Sequence, residues 1–444
     1  SGRLSWRDKR AAGSDASKAS GQQRWSIRDL KAITVAGNHA PGATGEVLVN
    51  YASGDRTGGE VRVGELDLAS ATSLAKTLPI PVEFASRWLA LQPVGALRGV
   101  DVKWRDEGEA AGPNRYVVDG NAELRDIGWQ ALGGAPSVTG LSGILSGSNS
   151  KGELRLTVGA AASSSSPVDV VATKGGAAML APSNLAKAQR SAKGVEKNTA
   201  AQTPLTIGLG KYLTAPLVFD ALTGTIAWKR SVTSDSTVAT HLDFSNVQFA
   251  NADAAGQLSG TWDSDRLGPG VSNIVGTLSR ANTTAIHRYL PASLSAGTHS
   301  WIKGGVQGGV ASDAKFVLKG RLWHFPFRND EQGVFEVNAQ VTGGVLDYAD
   351  HWPPAEDINT RLLFRGSSLV GQVAGATISG VPVGATEVKI DDMSSSSPVL
   401  EIKGSAAGPM DAFLRWTLAS PVNGWLDGFL QNAKATGNGR LNLG

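Results

Sequence analysis

The sequence predicts a mainly β protein, an elongated antiparallel sheet with short helices, built from two diverged repeats. Three observations carry this. Composition is the first: 55 of 444 residues are Gly, aromatics make up 6% and charged residues 18%, which suits many short strands and tight turns. The second is the alternation in Lys315–Trp352. Phe316, Leu318, Gly320 and Leu322 fall on one side of a first strand, against Lys315, Lys319 and Arg321. Phe335, Val337, Ala339 and Val341 fall on one side of a second, against Glu336, Asn338 and Gln340. A period of two with one apolar face marks a half-buried strand. The third is an internal repeat, set out below.

Taken in order, residues 1–24 are polar, with Trp6 as the only large apolar anchor. Strands are predicted at Trp25–Ile33, Gly45–Tyr51 and Gly59–Leu68. A bulge at Gly64 would place Val61, Val63, Leu66 and Leu68 on one face. Helices follow at Ala69–Thr77, capped by Asp67 or Ser70 and stopped by Pro79, and at Glu83–Leu91. Strands resume at Leu97–Arg105, Tyr116–Leu124, Val138–Leu145 and Gly152–Val158. Residues 159–203 are rich in Ala, Ser, Lys and Gly and read as a linker or insertion; its basic run, Lys187–Lys197, reads as a solvated connector. Beyond it, strands are expected at Leu217–Lys229, Thr240–Ala250 and Gly256–Trp262, with a short helix at Asn282–Tyr289. After the Lys315–Trp352 hairpin come strands at Thr360–Phe364, Leu369–Val373, Glu387–Ile390 and Val399–Lys403. Met410–Asn432 reads as amphipathic helices around Pro421.

The repeat aligns ELDLASATSLAKTLP (65–79) with TLSRANTTAIHRYLP (277–291). Further matches keep the same order: Trp88 with Trp301, Gly95 with Gly308, Asn121-Ala122 with Asn338-Ala339, Trp129 with Tyr348, and Pro136 with Pro353. Repeats that cannot close their own cores stack into elongated bodies. The expected organisation is a first repeat at 1–158, the linker at 159–203, and a second repeat with terminal amphipathic helices at 204–444.

Several chemistries are excluded or unsupported. There is no Cys, so no disulfide, thiolate metal site or Cys nucleophile. Lys plus Arg number 42 against 39 acidic residues, and no long basic stripe suggests nucleic acid. His39, His241, His287, His299, His324 and His351 show no metal-ligand spacing. Asp391-Asp392 and the Asp263/Asp265 pair read as turns. GLSG at 140–143 is no nucleophile elbow, and Gly208-Leu209-Gly210 is no phosphate loop. No catalytic constellation and no cofactor is implied. No apolar run is long enough to span a bilayer. Opening at Ser1-Gly2 and ending at Leu443-Gly444, the chain reads as a piece of a longer protein.

Several stretches carry a family resemblance: APLVFDALTGTIAW (215–228), NVQFANADAAGQLSGTW (246–262), YLP (289–291), Trp301, FPF (325–327), GVFEVNAQVTGGVLDYADHWP (333–353) and SPVLEIKGSAAGPMDAFLRWTLASPV (397–422). They resemble the YhdP branch of the AsmA-like envelope proteins. The likeness is good over 205–425 and looser over 25–160, and residues 159–203 match nothing in the family. It implies a continuous, U-shaped β-groove with a hydrophobic interior, in the periplasm of a Gram-negative cell, with an inner-membrane anchor in the full-length protein. The implied partners are phospholipid acyl chains, and the inner and outer membranes through parts outside this chain; the implied role is non-enzymatic phospholipid conduction between them. The alternative is a structural or assembly factor for outer-membrane proteins acting through exposed sheet edges. The candidate groove lining is Phe316, Leu318, Leu322, Phe335, Val337, Val341, Leu362, Phe364, Val388, Ile390, Leu400 and Ile402. Phe325, Phe327, Tyr348 and Trp352 are expected as rim or corner aromatics.

Overall fold

In the computed structural model, the described residues are 3–10, 21–30, 43–52, 55–75, 82–108, 115–159 and 203–444, except positions 134, 211, 233–236, 267, 293, 328, 330 and 396. Pro79 and the predicted linker lie outside them, apart from residues 159 and 203.

The first strands are β1 (Arg3–Arg10), β2 (Gly21–Leu30), β3 (Ala43–Ala52) and β4 (Asp55–Asp67), followed by α1 (Leu68–Ala75) and α2 (Val82–Leu91). Then come β5 (Val94–Asp106), β6 (Tyr116–Trp129), β7 (Ser137–Ser148), β8 (Lys151–Val158), β9 (Leu205–Gly208), β10 (Leu217–Phe219) and β11 (Ala221–Val232). After them run β12 (Val238–Ala250), β13 (Ala254–Asp265) and β14 (Gly268–Asn282), a 3-10 turn (Thr283–Tyr289) and α3 (Ala296–Gly305). The remainder is β15 (Val306–Arg321), β16 (Gly333–Leu346), β17 (Ala355–Arg365), β18 (Ser368–Ile378), β19 (Val381–Ile390), β20 (Leu400–Pro409), α4 (Met410–Leu418), α5 (Val422–Trp425) and β21 (Asn438–Leu443).

Among the described residues 21 strands form one antiparallel sheet, and nearly every strand pairs with its sequence neighbours. The exception is informative. β7 pairs with β8 through Gly143–Gly147 and with β9 through Ser137–Thr139. β9 therefore continues the line of β8, and β10 likewise runs on into the line of β11. The segment between β8 and β9 interrupts one strand line, while the sheet passes unbroken from β8 to β11. Among the described residues β1 and β21 do not pair with each other, so the sheet is open rather than a barrel.

Because the strands meander, successive connections alternate between two rims. Among the described residues the α-helices fall on one rim: α1 and α2 join β4 to β5, the 3-10 turn (Thr283–Tyr289) and α3 join β14 to β15, and α4 and α5 join β20 to β21. The opposite rim carries the turns. The two stretches that the predicted repeat aligns show the same succession here, strand, helical link, strand, strand. Trp88 lies in α2 and Trp301 in α3, and Ala122 and Ala339 are both buried in the second strand after the link.

Local sequence explains the links. Asp67 Oδ1 accepts from the Ser70 backbone N–H at 2.7 Å, capping α1. Ser295 accepts from Thr298 N–H at 3.0 Å and caps α3. The structure departs from the expected elements in several places; β1, β9, α3 and β21 were not expected. β14 was not expected as a strand: Gly270, Ser272 and Gly276 stand among its inward positions beside Ile274 and Leu278, and Val271 and Val275 lie on the other face, which blurs the alternation. Leu322 is not in β15; it opens a 3-10 turn (Leu322–His324). The strand expected over Leu217–Lys229 breaks at Asp220.

Candidate functional site

The paired registers assemble rows of side chains that cross the sheet. One row runs Leu66, Leu97, Leu124, Gly143, Leu156, Gly224. Gly224 lies at a bulge beside Val247, its Cβ position 2.7 Å from the Val247 Cα. From Val247 the row continues through Leu258, Gly276, Phe316, Val337, Phe364, Leu369, Ile390 and Leu400. A second row, nearer the turn rim, runs Ala122, Leu145, Leu154, Ile226, Phe244, Gly260, Ile274, Leu318, Phe335. A third, nearer the helical rim, includes Leu222, Phe249, Gly256, Leu278 and Ala314, and further on Ala339, Leu362, Gly371, Val388 and Ile402. None of these residues is charged. The opposite face carries ion pairs, among them Arg98–Glu65 at 3.1 Å and Arg365–Glu336 at 3.6 Å.

Eleven of the twelve predicted lining residues fall on this face; Leu322 does not. Phe316 lies opposite Val337, Leu318 opposite Phe335, Phe364 opposite Val337, Val388 opposite Ile402 and Ile390 opposite Leu400. Burial is graded across the face. Towards the helical rim, side chains close into clusters, such as Leu68, Val100, Ala122, Leu124 and Ile127, or Ala311, Ala314, Ala339 and Val341. α4 adds another, with Ala412 against Val381 and Ala406. Towards the turn rim, Phe316, Leu318, Phe335, Val337 and Phe364 are only half-buried, and Leu400 and Ile402 are each 41% exposed.

Irregular registers supply the curvature. Shifts lie between Arg98 and Asp101, Phe244 and Val247, Ser312 and Lys315, and Val341 and Gly344; an extra residue on one strand bends it and increases its twist. Over β5 to β8 and β11 the face forms a concavity of about 270 Å³, lined by Leu97, Val102, Leu124, Leu145 and Trp228 among others.

The predicted aromatics divide between the rims. Phe325 and Phe327 follow β15 at the turn rim and fold back over the apolar face: Phe325 meets Phe335 with ring centroids 5.0 Å apart, and Phe327, 4% exposed, covers Gly320 and Gly333. Tyr348 and Trp352 stand at the helical rim, where Trp352 packs on Trp416 at 5.5 Å and on Trp425 at 6.1 Å. Burial there pushes the Tyr348 phenol up. Sequence reasoning missed Trp228 and Trp262, whose indoles lie over Gly152 and Gly270 and donate to Ser148 O and Pro269 O at 3.1 and 3.0 Å. Alternation within their own strands could have placed them on the face; the glycine partners are set only by register.

Among the described residues no group of His, Cys, Asp or Glu could hold a metal ion, and no helix is long and apolar enough to cross a membrane. Asp106 is held below the usual carboxylate range by the Arg115 guanidinium, which donates to it at 3.0 Å in a partly buried pair.

A model of the YhdP protein family matches residues 1–163 and 184–444. It reaches further than the resemblance read from the residues, leaving out only 164–183. The Intermembrane phospholipid transporter YhdP of Escherichia coli (strain K12) is 28% identical over 159 residues, 35% of this chain and 12% of that protein. No solved structure matches the chain significantly. With this match over most of its length, and an open mainly β sheet as its fold, the chain belongs to the YhdP protein family.

Proposed function

We propose that this chain is a segment of a periplasmic groove that conducts phospholipids between the inner and outer membranes without making or breaking a bond, in a longer protein anchored in the inner membrane. The observation that carries the reading is the apolar face from β4 to β20, whose three cross-strand rows hold no charged residue and which is half-open along the turn rim. Exposing an acyl chain to water costs about 0.8 kcal/mol per methylene, so on the order of 10 kcal/mol for a long chain. A continuous apolar track removes that barrier at every step, and no single residue need bind tightly. Phe316, Leu318, Phe335, Val337, Leu362, Phe364, Val388, Ile390, Leu400 and Ile402 are its lining, with Val341 and the helical clusters as its closed side. The name of the E. coli relative supports phospholipid as the cargo.

Site-specific photo-crosslinking tests this. A photoreactive residue at Val337 or Phe364 is expected to label co-purifying phospholipid, and one at Glu336 or Arg365 is not. Equal labelling from both faces, or none from the apolar one, would sink the reading. Proline substitutions in β21 separate it from an edge-pairing assembly factor. They are expected to leave lipid labelling intact; if they abolish cellular function while labelling persists, the edge carries the function instead.

A further inference from the structure

We propose that Trp228 and Trp262 set how a phospholipid lies across the track: its acyl chains run along the strands towards the helical rim, and its glycerol esters stop at the two indoles, on the turn-rim side. The proposal rests on the apolar-track reading and adds the direction of the lipid on it. The registers place Gly152, Trp228, Leu242, Trp262 and Ser272 in one row across β8 and β11 to β14. One step towards the helical rim stand Leu154, Ile226, Phe244, Gly260 and Ile274. One step towards the turn rim stand Arg230, Thr240 and Ser264, the Thr240 N–H donating to Ser264 Oγ at 2.8 Å. Val232 and Val238 pair beyond them at the hairpin end. Across these rows the face passes from aliphatic to indole to polar side chains.

Both indoles are half-buried and fixed in place. Each ring lies over a glycine of the neighbouring strand, Gly152 or Gly270. Each N–H donates towards the turn rim, to Ser148 O at 3.1 Å and to Pro269 O at 3.0 Å. A ring with an apolar body and a polar tip suits the boundary between hydrocarbon and ester layers. The dimensions agree. The span of β13 from Trp262 back to Gly256 is about 20 Å at the rise of a strand, against about 15 Å for the hydrocarbon of one bilayer leaflet. A chain laid along the strands from the indoles therefore ends beside Leu222 and Phe249, where the face closes into a core cluster.

The test loads the whole protein from micelles with 5-doxyl or 16-doxyl phosphatidylcholine, measures retained lipid as phosphorus, and reads indole fluorescence. Quenching by the 5-doxyl lipid is expected to exceed that by the 16-doxyl lipid. The excess should be lost in the Trp228→Phe, Trp262→Phe double variant, which keeps a ring over each glycine. An excess that survives in the double variant, or quenching by the 16-doxyl lipid that is equal or stronger, overturns the proposal. A second measurement leaves the indoles untouched. A photoreactive residue at Leu242, between them in the row, is expected to label chain carbons near the glycerol, and one at Phe249 the chain ends. The reverse order, or no difference between the two positions, also overturns the proposal. If wild type retains no lipid, the track reading fails and the proposal with it.

Discussion

At the scale of single residues, this apolar face is made of complementary rings and glycines. A Cβ on Gly276 would collide with the Phe316 ring, one on Gly152 with the Trp228 indole, and one on Gly333 with Phe327. Aromatic rings lying over cross-strand glycines bury surface that neither strand could cover alone. Gly276→Val should therefore cost about 1–3 kcal/mol by overpacking, read as a lower urea midpoint, and Phe316→Ala should recover part of that cost in the double variant. A double variant less stable than both singles would refute the pairing. Val337→Asp places a carboxylate among half-buried apolar neighbours; phospholipid retention should fall at least tenfold with an unchanged far-UV spectrum. The Phe, Leu and Val members of the face were legible in the sequence from alternation. The glycines were not, because what makes them lining is a ring on the next strand.

At the scale of elements, capping was legible and small-residue strands were not. Asp67 and Ser70 were both candidates for the cap of α1, and the bond from the Ser70 N–H to the Asp67 carboxylate gives the role to Asp67. Asp67→Ala should destabilise α1 by about 1 kcal/mol, seen as faster amide exchange in α1 and α2 with β15 and β16 unaffected. β14 escaped notice because Val271 and Val275 point to the charged face while Ser272 and Gly276 share the inward face with Ile274 and Leu278, so neither face reads as clearly apolar. α3 escaped for a related reason: three of its ten residues are Gly, which local propensity disfavours in a helix. Leu322 was misplaced because the alternation continues past Arg321 while the backbone already turns to bring Phe325 and Phe327 over the face.

At the scale of the whole molecule, the sheet rather than the repeat is the structural unit. β7 holds β8 and β9 in one line, so the residues between them are not needed to join the halves. Deleting 164–183, the stretch outside the family match, should leave lipid retention and the far-UV spectrum unchanged within twofold; loss of folding would make that stretch part of the wall. The meander also works as a ruler. Neighbouring strands lie about 4.8 Å apart, so the strand lines from β4 to β20 extend the track by roughly 70 Å measured along the sheet. Each hairpin gained or lost would change that reach by about 10 Å without altering the surface a lipid meets. Distance is thereby encoded in strand count, independently of the chemistry of the lining.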